Sequence, residues 1–279
     1  MRFRFDRFAT LYFVHPVQRR MSGSKPSIPI LMYHSITDED ETDVHAYYRT
    51  ATSSLVFAQH MHYLHDLGYS TINVAEAVRS LQDGESTKKH AVVTFDDGYA
   101  DFYTQAFPAL NRHGFTATVF LPTGYIGKVP VRFKGKDCLT WGEVKELSKC
   151  GISFGSHTVT HPQLSTLDER SVKDEIVNSK RTIEDNLGES VDSFSYPFAF
   201  PEENSSFVRL LRNLLVESGY HQGVSTRIGT ARGREDRYFL RRLPINSLDD
   251  VSLFEAKLQG GYDWLQRVQY ASKLAKRYC

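Results

Sequence analysis

The run Ala91-Val92-Val93-Thr94-Phe95 ends on two adjacent carboxylates, Asp96 and Asp97, and stops at Gly98. An apolar, β-branched run of this length reads as a buried strand, and successive side chains at its end diverge to opposite faces. One carboxylate can then bind a cation while its neighbour takes a proton from water. Gly98 permits the sharp turn that follows. An isolated Asp-Asp-Gly also ends many strands in a solvated turn. The pair alone decides nothing.

A second segment, Ser156-His157-Thr158-Val159-Thr160-His161-Pro162, carries two imidazoles four positions apart. On a helical turn that spacing places both rings on one face, as in zinc sites built from paired histidines. In a chain with 11 histidines the spacing also arises by chance. With a nearby Asp the pair makes two nitrogens and one oxygen, a ligand set that leaves positions open for catalysis.

Together, Thr94-Phe95-Asp96-Asp97-Gly98 and Ser156-His157-Thr158-Val159-Thr160-His161-Pro162 resemble the first two motifs of the polysaccharide deacetylase family. Members are metal-dependent amidohydrolases that remove acetyl groups from N-acetylated sugars. The resemblance spans roughly residues 28 to 248 and implies an α/β fold, a distorted (β/α) barrel of about seven strands. It implies Asp96 as general base, with Asp97, His157 and His161 as ligands of a divalent metal. Zn2+ is the expected ion, with Co2+, Ni2+ and Fe2+ as alternatives.

A third segment, Phe194-Ser195-Tyr196-Pro197-Phe198, resembles the family's Arg-x-Pro-aromatic motif but has Ser195 in place of the arginine beside the catalytic Asp. The backbone N–H of Phe198 retains the oxyanion role that the resemblance implies, with Tyr196 and Pro197 expected at the substrate. The family's late Leu-x-x-His motif is absent; Leu240-Arg241-Arg242-Leu243-Pro244-Ile245-Asn246 is strand-like and has no histidine. An earlier run, Pro29-Ile30-Leu31-Met32-Tyr33-His34-Ser35-Ile36, resembles the opening strand of the permuted subgroup acting on β-1,6-linked poly-N-acetylglucosamine. That match carries over His34, expected as the general acid; a strand-end histidine held by local hydrogen bonds is the plainer reading.

At 279 residues, with 41% hydrophobic residues and a formal charge of +1, the chain suits one α/β barrel and does not favour nucleic acid as partner. Cys138, Cys150 and Cys279 are too few for a disulfide framework and fit a reducing compartment. The first 25 residues carry Arg2, Arg4, Arg7, Arg19, Arg20 and Lys25 against Asp6 alone. The apolar part, Phe8 to Val17, is too short to span a bilayer and makes a poor signal peptide. Such a leader suits contact with an anionic membrane surface, or else packs or frays. No longer apolar run follows, so no transmembrane span and a cytoplasmic, membrane-associated placement are expected.

Between these landmarks strands alternate with helices that end on glycine. Helices are expected over Ser53–Leu67, Val74–Gln82, Asp101–His113, Trp141–Cys150, Asp168–Leu187 and Glu203–Ser218. Strands are expected over Ala117–Pro122, Ile152–Ser156, Ser193–Pro197, Gly223–Thr226 and Tyr238–Ile245. The expected organisation is a basic extension over 1–24, a catalytic barrel over 25–259 and a helical tail over 260–279. In the loops, Asp38, Glu39, Asp40, Glu41 and Asp43 form an acidic cluster. Arg227, Arg232, Arg234, Arg237, Arg241 and Arg242 form a basic stretch that either grips an anionic glycan or pairs on the surface. Trp141 either stacks on a sugar or packs at a helix start. The expected activity is N-deacetylation of a sugar or glycan. Alternatives are hydrolysis of another non-peptide amide or a cyclic ureide, and, given Ser195 and the missing histidine, an inactive glycan-binding protein.

Overall fold

Seven strands pair in chain order and close on themselves: β1 (Ile30–Tyr33), β2 (His90–Phe95), β3 (Thr118–Leu121), β4 (Ser153–Ser156), β5 (Ser193–Ser195), β6 (Gln222–Ile228) and β7 (Leu240–Pro244). Every pairing is parallel, and the ring shuts where Leu243 of β7 lies opposite Leu31 of β1 and Ile30 of β1 opposite Val92 of β2. The computed structural model describes residues 4–17, 27–39, 41, 43–45, 48–84 and 89–278. Parallel strands need crossovers. From β1 to β6 the crossovers carry helices, α2 (Ser54–Asp66), α3 (Val74–Asp83), α4 (Phe107–Arg112), α5 (Trp141–Lys149), α6 (Glu169–Leu187) and α7 (Ser205–Glu217), while residues 229–239 join β6 to β7 without one.

Local chemistry sets these boundaries. Ser53, Asn73, Thr140, Asp168 and Asn204 accept the backbone N–H of the third helical residue, and Asn73 and Thr140 form reciprocal boxes with Glu76 and Glu143. Gly84 and Gly188 close α3 and α6 in left-handed conformation. The helix expected over Asp101–His113 starts as a π-helical stretch, Phe102–Ala106, before α4. The loop after β3 holds an unexpected short hairpin, Arg132–Phe133 with Lys136–Asp137.

Within the expected 1–24 extension, residues 4–17 pack on the body of the fold. Helix α1 runs from Phe5 through Val17, with a π-helical stretch over Thr10–Val14. It docks on α8 (Val251–Leu258) and its flanks. Arg4 donates to the Leu248 carbonyl at 3.1 Å and pairs with Asp249 at 3.3 Å. Tyr262 donates to Asp6 at 2.6 Å, and Trp264 to the hydroxyl of the buried Thr10 at 3.0 Å. The boundary expected between residues 24 and 25 lies outside the described residues. The C-terminal helix, Leu265–Tyr278, is also docked, its Gln269 donating to the Thr226 carbonyl at 2.9 Å. Among the described residues no helix is long and apolar enough to cross a membrane.

Candidate active site

The strands are parallel, so their carboxyl ends gather at one face. His34 follows β1, Asp96 and Asp97 follow β2, His157 follows β4, and Ser195 ends β5. The turn after β2 bends at Asp97 and Gly98, with φ of 70° and 59°. A Cβ at Gly98 would lie 3.0 Å from Leu121, so both backbone conformation and space favour glycine. Asp97, Lys134, Thr158, His161 and Phe198 are the non-glycine residues with left-handed backbone among those described. All five belong to the strand-end loops that build this face, where held strain is most often found.

Asp97, His157 and His161 are buried and offer donor atoms within 4.8 Å of one another. Oδ1 of Asp97 has no well-directed hydrogen bond and faces Nε2 of His161 at 3.2 Å and Nε2 of His157 at 3.7 Å. His157 donates from Nδ1 to the Ser195 carbonyl at 2.8 Å, which leaves the Nε2 lone pair toward the carboxylate. Burial pushes the ring down to about 4 against the pull of Asp96, so it is neutral at pH 7. An orphaned carboxylate oxygen facing two imidazole nitrogens fits a divalent cation with open positions for water and substrate. The two histidines are not on a helical turn. They sit on an irregular loop, where left-handed Thr158 and His161 fold the second ring back over the first, with centroids 4.8 Å apart.

Asp96 lies beside this set, its Oδ2 4.0 Å from Nε2 of His157. Its carboxylate is gripped end-on by Arg242, Nη1 to Oδ1 at 2.8 Å and Nη2 to Oδ2 at 2.7 Å. Arg242 is fully buried; its Nε donates to the Ser225 carbonyl at 3.0 Å and its Nη2 to the Ser195 hydroxyl at 3.0 Å. The Ser195 hydroxyl donates onward to Asp96 Oδ1 at 3.2 Å. Burial alone would raise the Asp96 carboxyl; Arg242, then His157, more than offset this and hold it well below the usual carboxylate range. The arginine missing at position 195 is therefore supplied from β7, across the barrel. Arg242 was not expected here, although strand alternation offers the signal: Arg241 and Arg242 are adjacent on a strand, so one must point inward.

Other expectations change. Tyr196 and Pro197 are buried, Tyr196 wholly and edge-on to Phe200 at 5.1 Å. Trp141 is half-buried against the core at the start of α5, where packing holds its ring. Of the basic stretch, Arg227 pairs with Glu202, Arg232 with Asp263 and Arg241 with Glu235, which leaves these three spent within the fold. Phe198 is 48% exposed, with its ring 4.7 Å from His161. Its loop is fixed by Thr226, whose hydroxyl donates to the Phe198 carbonyl at 2.9 Å and accepts from Phe200 N at 2.8 Å. His34 is half-buried; burial lowers its pKa, while the charges of Asp96 and Asp97 oppose that shift.

YxkH of Bacillus subtilis (strain 168), a protein named as a polysaccharide deacetylase, is 33% identical over 237 residues, covering 84% of this chain and 77% of that protein. The chain belongs to the polysaccharide deacetylase family. The family's domain model matches residues 83–219, which contain Asp96, Asp97, His157, His161 and Phe198. The poly-β-1,6-N-acetyl-D-glucosamine N-deacetylase of Staphylococcus aureus (strain MRSA252) is 23% identical over 191 residues, 65% of this chain; the chain spans 62% of that protein. The deacetylase PplD of Streptococcus pyogenes, solved with acetate, superposes with a TM-score of 0.73 at 27% identity, over 84% of this chain and 99% of PplD. IcaB from Ammonifex degensii shares the fold at a TM-score of 0.67 and 22% identity, over 84% of this chain and 97% of that one. The family and its permuted subgroup make the chain a carbohydrate N-deacetylase on a seven-stranded barrel. The family is metal-dependent, and Asp97, His157 and His161 are a fitting metal site.

Proposed function

We propose that this chain deacetylates N-acetylglucosamine units of a glycan, with β-1,6-linked poly-N-acetylglucosamine the first substrate to test. The observation that carries this reading is Asp96, held ionised by Arg242 beside a buried set of two imidazoles and one carboxylate. Asp97, His157 and His161 would hold the metal, Zn2+ being the best match to two nitrogens and one oxygen. When bound, it supplies Lewis acidity toward the acetyl carbonyl and the attacking water. Asp96 takes the proton of that water, and Arg242 keeps the carboxylate unprotonated and aimed. The backbone N–H of Phe198 donates to the developing oxyanion. His34 protonates the departing amine, because an amine anion is a very poor leaving group.

The Arg242 guanidinium removes the reason for reading Ser195 as a mark of inactivity. The test is acetate release from β-1,6-linked N-acetylglucosamine oligomers by Zn2+-loaded protein. Release abolished by a chelator and restored by Zn2+ is expected. Absence of acetate from every N-acetylated glycan tried would overturn the reading.

Peripheral membrane contact through the N-terminus rests on a helical face that exposes Phe5, Tyr12, Phe13 and Val17. Arg7 is meanwhile committed to Asp250. Co-sedimentation with anionic vesicles that is lost in Tyr12→Ser/Phe13→Ser supports this contact; no co-sedimentation by the wild type removes it.

A further inference from the structure

The hairpin of Arg132–Phe133 and Lys136–Asp137 turns at Lys134 and Gly135, with φ of 49° and 83°. Two successive left-handed residues suit a tight hairpin turn, which favours Asn, Asp or Gly at the first position. Here that position carries lysine. The hairpin is tied to the turn that bears the carboxylates: Leu139 N donates to the Gly98 carbonyl and Ala100 N to the Asp137 carbonyl, both at 2.9 Å. On its other side Lys136 donates to the Ser35 hydroxyl at 2.7 Å, beside His34.

So held, the hairpin places Nζ of Lys134 3.2 Å from Oδ2 of Asp97, over the rings of Phe133 at 4.6 Å and Phe198 at 5.5 Å. The same two rings flank His161, at 5.3 and 4.7 Å. Tyr99 donates to Oδ2 as well, at 3.0 Å. The two oxygens of Asp97 thus have different surroundings. Oδ2 accepts from a phenol and an ammonium; Oδ1 faces His157 and His161.

We propose that Lys134 is a positioning residue of the metal site, fixing Asp97 for one-oxygen ligation through Oδ1 and drawing charge from that ligand. An ammonium on a ligand carboxylate repels a cation bound to the same carboxylate and makes the carboxylate a poorer donor. The metal is held less tightly and acts as a stronger Lewis acid. Tyr99 keeps Oδ2 oriented when the ammonium is removed, so the charge effect decides the sign.

This inference rests on the reading of Asp97, His157 and His161 as metal holders. The test is Zn2+ affinity by competition with a chromophoric chelator, on the full chain, in wild type, Lys134→Met and Lys134→Arg. Lys134→Met is expected to bind Zn2+ about tenfold tighter or more, and Lys134→Arg to stay close to wild type. With a substrate in hand, Lys134→Met should lower kcat with KM little changed. Unchanged or weaker affinity in Lys134→Met overturns the proposal, as does equal tightening in both variants. Failure of the wild type itself to bind one Zn2+ overturns the metal reading instead.

Discussion

Arg242 bears most heavily on whether Asp96 is usable. A buried ion pair is costly to break, because the partner left behind keeps its charge without compensation. Arg242→Met should therefore destabilise the fold by about 3–5 kcal/mol and raise the Asp96 carboxyl, with turnover falling alongside. Arg242→Met/Asp96→Asn should recover much of that stability in denaturant unfolding and none of the activity. A double variant no more stable than the single one would show that Arg242 supports the barrel by other contacts. His34 is argued at the same scale. His34→Ala should retain metal but lose activity, and the descending high-pH limb of the rate profile should vanish. That limb should lie on the acid side of the ordinary imidazole value, since burial lowers the ring. If the variant keeps both rate and limb, the acid lies elsewhere.

At the scale of elements, α2 is tied to the loop before α8 through His60. Its Nε2 donates to the Asp249 carbonyl at 2.7 Å, Nδ1 pairs with the Tyr33 hydroxyl at 3.0 Å, and the ring stacks on Phe254 at 4.0 Å. Burial lowers His60 to about 4, against about 6.5 in an unfolded chain. Between those values the unfolded chain binds the extra proton. The contribution is therefore complete above about pH 6.5 and falls toward pH 4 by about 1.4 kcal/mol per unit. His60→Gln should flatten the pH dependence of urea unfolding in that window; an unchanged slope would mean His60 does not titrate there. The same region receives Arg4. A chain starting at Lys25 strips Arg4 from Asp249 and uncovers the face of Tyr262 and Trp264. Its melting temperature should drop by at least about 5 °C, and an unshifted melt would show the docking is idle.

These elements also show what a sequence discloses. Caps and stops are local, so Ser53, Thr140, Asp168, Gly84 and Gly188 announced their helices within a residue or two. Strand-end residues were legible because His34, Asp96 and Asp97 follow apolar runs and His157 follows the alternating Ile152-Ser153-Phe154-Gly155-Ser156. Arg242 was not, because its partner is 146 positions away, and a run of arginines reads as surface charge until strand alternation is applied. The 132–137 hairpin hid in a glycine-rich loop, and Lys134 with it. The histidine spacing suggested a helical turn, whereas left-handed Thr158 and His161 achieve the same convergence without one.

For the whole molecule, closing seven parallel strands puts every carboxyl end on one rim, so residues from β1, β2, β4, β5 and β7 meet without any one segment holding the site. That geometry gives the two carboxylates different partners, Asp97 facing His157 and His161 while Arg242 grips Asp96, and the proposed function assigns cation holding to the first and proton transfer to the second. The direct measurement of this division is acetate released per bound metal ion from an N-acetylglucosamine oligomer, in wild type and Asp96→Asn. At equal metal content, turnover should fall by about 10²-fold or more in the variant. Equal turnover per metal, or loss of the metal itself, would contradict the division of labour between the two carboxylates.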